Sequence, residues 1–209
     1  MKRLYIFVLL MIVLPFGANA QEEPEAEPLI ENHDVSVLVS WSTAIPMGEL
    51  TNDVKMTSGR GFQFDVSKNI NNRFTYGMNF AWQAFFQKEY EVYNTSESAS
   101  SGWQRNYVNA ILFMATTRYY FSTSANKLRA YLGLEAGATA IENYQIFGMY
   151  EYKELEWHFA LTPAMGVDIP VSNALGFSLY FKFPNSFKSH SSIHYSWLNT
   201  GVGFYAKIR

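Results

Sequence analysis

The sequence of 209 residues contains no cysteine. It therefore has neither disulfide bonds nor thiolate metal ligands, and its N-terminal segment lacks the cysteine of a lipoprotein signal. The apolar run from Leu4 to Phe16 is shorter than the roughly 20 residues that a membrane-spanning helix needs. Basic residues are not in excess either, with 16 Lys and Arg against 18 Asp and Glu. Nothing in this charge balance indicates nucleic-acid binding.

The first 20 residues have the organisation of a secretory signal peptide. Lys2 and Arg3 give a positive start, the apolar run follows, and Ala18-Asn19-Ala20 forms a small-residue cleavage site. We expect residues 1–20 to be removed; the alternative is that they stay as an N-terminal membrane anchor. Residues 21–33 are acidic and lack periodicity, so we predict a flexible leader. A single domain at 34–209 follows.

Bulky and small side chains alternate through most of this domain. In 74–83, bulky residues take every second position from Phe74 to Trp82, and small or polar residues fill the positions between them. A period of two is typical of half-buried β-strands. The pattern is clear in 35–42, 61–67, 74–83, 156–169 and 175–183, and weaker at about 105–122, 128–141 and 194–208. We therefore predict an all-β fold with about eight strands.

The volume of the bulky face decides which way it points. The interior of an eight-stranded barrel is just wide enough for side chains to fill. Several consecutive bulky residues per strand would overfill it, so we place them outside, against lipid. Strands of about 10 residues also suit a tilted crossing of the bilayer. The prediction is a transmembrane antiparallel up-and-down β-barrel; a soluble lipocalin-like barrel, with the bulky face inside, is the alternative.

The connections between strands alternate in length. Short turns are predicted at 69–72, 123–126 and 171–173, and long loops at 46–58, 87–103, 142–153 and 184–193. Outer-membrane barrels have short periplasmic turns and long extracellular loops. Within the fourth clear strand, Pro163 removes a hydrogen-bond donor and predicts a bulge or a locally weak pairing.

Several short motifs resemble the bacterial outer-membrane β-barrel domain family, the OmpA/OmpX-like small barrels. The likeness is densest from Ser40 to Gln83 and extends over most of 34–209. It is carried by Pro46-x-Gly48, Gly61-Phe62, Tyr76-Gly77, Arg118-Tyr119-Tyr120-Phe121 and Tyr131-x-Gly133-x-x-x-Gly137. The resemblance implies residence in the outer membrane, in contact with lipid and lipopolysaccharide. The motifs mark a fold and not an activity.

Charged residues also fall at the inward positions of the predicted strands. These four acids and four bases are Asp65, Arg118, Arg129, Glu135, Glu156, Asp168, Lys182 and Lys207. In a narrow lumen they would be desolvated unless paired, so we expect an ionic cluster that closes the barrel. Arg118 and Glu135 lie on strands joined by a short turn and are the expected partners.

One motif carries possible catalytic chemistry. His194-Tyr195-Ser196 puts a histidine and a serine on the same face of a strand, as nucleophile activation requires. It looks like the His-x-Ser of PagL-type lipid A deacylases, yet no Asp or Glu follows it to orient the imidazole. We favour an interfacial histidine and serine. His190 and His194 do not suffice for a zinc site, and no metal or cofactor is indicated.

Three function classes follow from these features. The favoured one is a non-catalytic envelope protein that supports the cell surface or binds an extracellular ligand through its loops. A lipid A-modifying enzyme and a narrow channel or secretion accessory are the alternatives, because fold alone does not determine function.

Overall fold

The computed structural model describes residues 35–94, 99–123, 127–148, 150–188 and 193–208. The predicted signal peptide (1–20) and acidic leader (21–33) lie outside the described residues. Within the described ranges, no helix has both the length and the apolar character needed to cross a membrane.

Strands make up nearly all of the described chain, in agreement with the period of two in the sequence. They are β1 (Val35–Gly48), β2 (Ser58–Asn69), β3 (Phe74–Asn94), β4 (Ala99–Tyr120), β5 (Arg129–Phe147), β6 (Tyr150–Pro170), β7 (Leu175–Lys182), β8 (Asn185–Ser186) and β9 (Tyr195–Ile208). A 3-10 helix, Glu49–Asn52, follows β1.

These strands form a closed antiparallel ring. Each long strand pairs with the next, and β9 returns to β1 from Val35 opposite Ile208 to Gly48 opposite Tyr195. The short β8 continues the line of β7, since both lie between β6 and β9. The ring therefore has eight strand positions, which confirms the predicted up-and-down barrel.

The wall has a bulky outer face and a small or polar inner face. On β3, Met78 is 76% exposed, whereas the adjacent Asn79 is 3% exposed. Phe80 and Phe113 extend the outer face on neighbouring strands, with ring centroids 5.2 Å apart. The outward assignment of the bulky face is confirmed, and the lipocalin-like alternative, which needs that face inside, is wrong.

The connections agree with the sequence prediction at one end of the barrel and depart from it at the other. Short turns at 70–73 and 171–174 lie at the end where β1 starts and β9 finishes, and β4 also ends and β5 begins there. We assign this end to the periplasm. At the other end, the predicted loops 87–103 and 142–153 are wrong, because β3 and β4 stay paired up to Asn94 and Ala99, and β5 and β6 up to Phe147 and Tyr150.

Four strands therefore extend beyond the rest of the barrel. β2 pairs with β3 only as far as Ala84, and β8 pairs with β6 only as far as Ala160. We name the projecting part the extracellular sheet; it comprises 85–94 of β3, 99–108 of β4, 142–147 of β5 and 150–155 of β6. Polar and aromatic residues occur at both inward and outward positions of these segments, so the sequence does not mark where the barrel rim ends.

The pairing with β6 is interrupted where β7 gives way to β8, and one backbone hydrogen bond, from the Phe183 N–H to the Pro163 carbonyl at 2.9 Å, bridges the interruption. Pro163 stays in register with Leu134 of β5, so no bulge forms there. On the other edge of β6, the pairing with β7 ends at Lys182, opposite Ala164. The pairing with β8 begins at Asn185, opposite Leu161. The Asn185 side-chain amide donates to the Phe183 carbonyl at 2.7 Å and supplies the hydrogen that proline lacks. Of the two predicted outcomes, the weak pairing is confirmed.

Candidate functional site

Two buried ion pairs cross the middle of the lumen. Arg118 Nη2 lies 2.5 Å from Asp65 Oδ2, and Lys182 Nζ contacts Glu135 Oε1. All four side chains are almost completely buried. Each pair joins strands that are separated by one other strand, β3 in the first case and β6 in the second.

The expected pair between Arg118 and Glu135 is wrong. Register places Arg118 opposite Gly133 and Glu135 opposite Thr116, so the two side chains are only diagonal neighbours. Gly77 and Ala164 occupy inward positions on the intervening strands. Because these residues are small, each charged side chain can reach across the middle strand to its partner. Small inward residues between charged ones are therefore the sequence signal that identifies these pairs.

The periplasmic end of the lumen holds other members of the predicted cluster. Arg129 stacks over the Tyr120 ring, with its guanidinium carbon 3.8 Å from the centroid. The Tyr120 hydroxyl donates to Asp168 Oδ2 at 2.8 Å. Lys207 lies opposite Ser36 across the seam between β9 and β1. Arg129 and Asp168, which are register partners, are thus held beside an aromatic ring as well as beside each other.

Inward tyrosines form a layer that the sequence analysis did not anticipate. Three of them each lie opposite a glycine on the next strand, at positions where a Cβ atom would stand about 2.5 Å or less from the ring or hydroxyl. The register pairs are Tyr131 with Gly166, Tyr180 with Gly201, and Tyr205 with Gly176. Each ring lies against bare backbone, a known device for pairing aromatics with strand glycines.

Glu156 and the neighbouring His158 lie higher, near the extracellular mouth. His158 is buried, its Nδ1 lies 3.0 Å from the Phe187 carbonyl, and its Nε2 lies 3.6 Å from Glu156. The residues of the predicted ionic cluster therefore occupy three levels: the periplasmic tyrosine layer, the two central ion pairs and the extracellular rim.

Above the ion pairs the lumen contains a large apolar cluster. Leu50 and Val54 are fully buried, and they follow β1 in the connection to β2. They pack on a cluster of inward side chains that the sequence analysis also missed: Ala44, Ala81, Phe85, Val108, Ala110, Leu112, Met114, Ile141, Ala160, Tyr195 and Trp197. An apolar cap formed by this connection thus covers the ionic levels.

Hydrogen bonds hold the cap in place. Glu49 accepts from the His194 backbone N–H at 2.7 Å and pairs with Lys188 at 3.0 Å. The His194 N–H and the Lys188 ammonium lower the pKa of the Glu49 carboxyl. Asn106 donates to the Asp53 carbonyl at 3.1 Å, which ties the connection to the extracellular sheet.

The His194 and Ser196 side chains have separate partners. The Ser196 hydroxyl donates to the Met47 carbonyl at 3.2 Å. The His194 ring stacks on Phe187, with centroids 5.8 Å apart and planes 6° from parallel. His190 lies outside the described residues. Among the described residues, no group of three or more His, Asp or Glu side chains is arranged to hold a metal ion.

The extracellular sheet exposes aromatic side chains on both faces. Tyr90 and Trp103 form an edge-to-face pair on the outward face, with centroids 5.3 Å apart, and Tyr150 and Tyr152 lie on the inward side. All four are more than half exposed. Beside them a shallow depression is lined by Tyr107, Asn109, Glu142, Tyr144, Ile146, Glu151 and Lys153.

Comparison with solved structures agrees with this architecture. No protein-family model and no curated protein matches the sequence. Neisserial surface protein A is 13% identical with a TM-score of 0.52, and the match covers 85% of this chain and 98% of that one. Ail of Yersinia pestis is 9% identical (TM-score 0.49; 83% and 99% covered), and OprG of Pseudomonas aeruginosa is 12% identical (TM-score 0.46; 85% and 96% covered). The likeness to neisserial surface protein A, together with the closed ring of eight strand positions, shows that the chain has the fold of a small outer-membrane β-barrel.

Proposed function

We propose that this chain is a non-catalytic outer-membrane protein with a side-chain-filled lumen, which supports the envelope or binds an extracellular partner through its extracellular sheet. The observation that carries the proposal is the contrast between a closed interior and an exposed sheet. Two central ion pairs and the apolar cap fill the lumen, whereas Tyr90, Trp103, Tyr150 and Tyr152 face solvent. Exposed tyrosine and tryptophan provide large contact area at low entropic cost.

The outer-membrane part of the proposal is tested by cell fractionation and gel mobility. We expect the protein in the outer-membrane fraction, with an unboiled band that runs faster than the boiled one, because a closed barrel resists mild detergent. Recovery from the soluble periplasmic fraction would contradict the proposal.

The surface role is tested on living cells. Replacement of Tyr90, Trp103, Tyr150 and Tyr152 by serine is expected to abolish attachment to a partner surface or to raise sensitivity to bile salts, with the amount of folded barrel unchanged. The matched control replaces four outward-facing valines of the barrel wall by isoleucine, a change that leaves the extracellular sheet intact: Val35, Val37, Val39 and Val66. If the serine variant behaves like this control in both assays, the sheet has no such role.

The deacylase alternative is weaker on this geometry. Ser196 and His194 contact different groups, and the Ser196 hydroxyl is already used by the Met47 carbonyl. Activation of a serine nucleophile needs its base within hydrogen-bond reach. Incubation with lipopolysaccharide is expected to release no fatty acid; release that disappears in Ser196→Ala would restore the enzyme hypothesis.

A further inference from the structure

Two basic residues face each other directly on the outward side of the extracellular sheet. Lys88 on β3 and Arg105 on β4 are register partners, and both are exposed. Like charges at directly opposed positions destabilise a sheet. In the described part of the chain, neither residue makes a salt bridge. The repulsion between them is therefore not offset by a described carboxylate.

The described carboxylates on the outward face of this sheet have other partners. Glu151, which Ile146 separates from Arg105, accepts a hydrogen bond from the Tyr144 hydroxyl. Glu142 binds Lys153 at 2.6 Å and accepts from Asn109 at 3.1 Å. Glu89 lies on the opposite face of the sheet, 4.0 Å from Lys55. β5 and β6 thus carry complementary charges on the outward face, while β3 and β4 carry two positive ones.

The height of the basic pair relates it to the membrane. Directly below it on the same strands, Phe86 and Tyr107 form an aromatic pair with centroids 4.8 Å apart. Two residues along a strand span about 6.7 Å, and aromatic residues mark the boundary of the lipid-facing band in such barrels. Lys88 and Arg105 therefore lie one step outside the apolar band, at the level of lipid headgroups.

The surroundings of the pair suit an anionic headgroup. Lys88 Nζ lies over the face of the Trp103 ring, 4.3 Å from its centroid. This cation–π contact keeps the ammonium in position. A guanidinium offers a bidentate fork to phosphate, and an ammonium adds a point charge. Continuity with the lipid-facing surface favours a lipid over a soluble anion as the source of the phosphate.

We propose that Lys88 and Arg105 bind a phosphate group of lipopolysaccharide in the outer leaflet. This inference rests on the outer-membrane role proposed above and adds to it a named contact site. A bound phosphate would explain why two positive charges face each other on β3 and β4, whereas β5 and β6 pair a negative charge with a positive one.

The test measures binding of diphosphoryl lipid A to the folded barrel in neutral detergent, by native mass spectrometry. K88Q/R105Q is expected to raise the apparent Kd about 30-fold. Each basic residue beside an anionic lipid surface contributes about 1 kcal/mol, and the loss of both, about 2 kcal/mol, corresponds to that change in Kd. Lipid A without phosphates is expected to bind the unaltered protein as weakly as diphosphoryl lipid A binds the variant. Raising the salt concentration should reduce the difference in Kd for diphosphoryl lipid A between the unaltered protein and K88Q/R105Q, because salt screens the charges.

The matched control is K68Q/R73Q, which removes two exposed cations at the periplasmic end; its Kd for diphosphoryl lipid A should be unchanged. An equal Kd for K88Q/R105Q and the unaltered protein overturns the proposal, and so does equal binding of phosphate-free lipid A. Tight binding of free phosphate or a soluble sulfated polysaccharide, without preference for diphosphoryl lipid A, also overturns it. Gel mobility of the same samples separates the two claims: if the unaltered protein shows no compact unboiled band, the outer-membrane role fails and not the site alone.

Discussion

The barrel wall and the extracellular sheet are built from the same strands, yet their side chains follow different rules. In the wall, Met78 faces out and Asn79 faces in, and the charged residue Asp65 is fully buried with a partner. In the sheet, charges such as Lys88 and Glu142 lie on the outward face, where lipid would exclude them. The difference shows that the surrounding solvent, and not the backbone, decides what each face carries.

The largest expected effect comes from the buried ion pairs. Arg118→Ala leaves Asp65 charged and unpaired in the lumen, so it is expected to lower the free energy of unfolding by about 3 to 5 kcal/mol. Glu142→Ala breaks an ion pair of the extracellular sheet and should cost less than about 1 kcal/mol. Urea titration of the barrel in lipid vesicles measures both. Equal costs would mean that the lumen is wet.

A charge on the outer face of the wall gives the next largest effect. Phe80→Arg places a cation at mid-strand against lipid and is expected to destabilise by about 2 to 4 kcal/mol. Tyr90→Arg makes the same kind of change on the extracellular sheet, where the free energy of unfolding should move by no more than about 0.5 kcal/mol. Folding into bilayers that tolerates the Phe80 change would show that the faces are assigned incorrectly.

The tyrosine and glycine pairs predict a smaller effect. In Gly166→Ala the new methyl group would meet the Tyr131 ring and the Leu179 carbonyl, so overpacking should cost about 1 to 3 kcal/mol. At Gly102, in the extracellular sheet, a Cβ atom has ordinary contact distances to Phe147. Gly102→Ala should therefore be nearly neutral in the same urea titration, and a loss there as large as at Gly166 would argue against the packing described.

The smallest expected effect is the pH dependence of the sheet. Lys153 and Asn109 lower the pKa of Glu142 from its ordinary value of 4.5. The stabilisation is thus complete above pH 4.5 and is lost as the pH falls through the lowered value. Hydrogen exchange of the β5 and β6 amides should quicken in this range, and Glu142→Gln should remove the change.

The sequence predicts the wall well because lipid and a narrow lumen impose a strict period of two, visible from Phe74 to Gln83. It predicts the extracellular sheet poorly, because strands with water on both faces have no such constraint. Residues 142–153 are expected to form a long loop, yet β5 and β6 form a hairpin there. Its turn includes Gly148 with a φ of 58°, a conformation that glycine accommodates.

The lumen is predicted in part. The alternation of inward and outward positions identifies which charged residues point into the lumen. Pairing them also requires the register of neighbouring strands, as Arg118 on β4 and Asp65 on β2 illustrate. The apolar cap could not be predicted from the alternation, because Leu50 and Val54 lie outside the strands, in a connection that folds back on the barrel mouth.

The measurement that tests the central claim most directly is planar-bilayer recording of the purified, unaltered protein. Because ion pairs fill the middle of the lumen and an apolar cap covers them, we predict no steady ion conductance across the bilayer. Steady, porin-like conductance would contradict the closed lumen and would support the channel alternative instead.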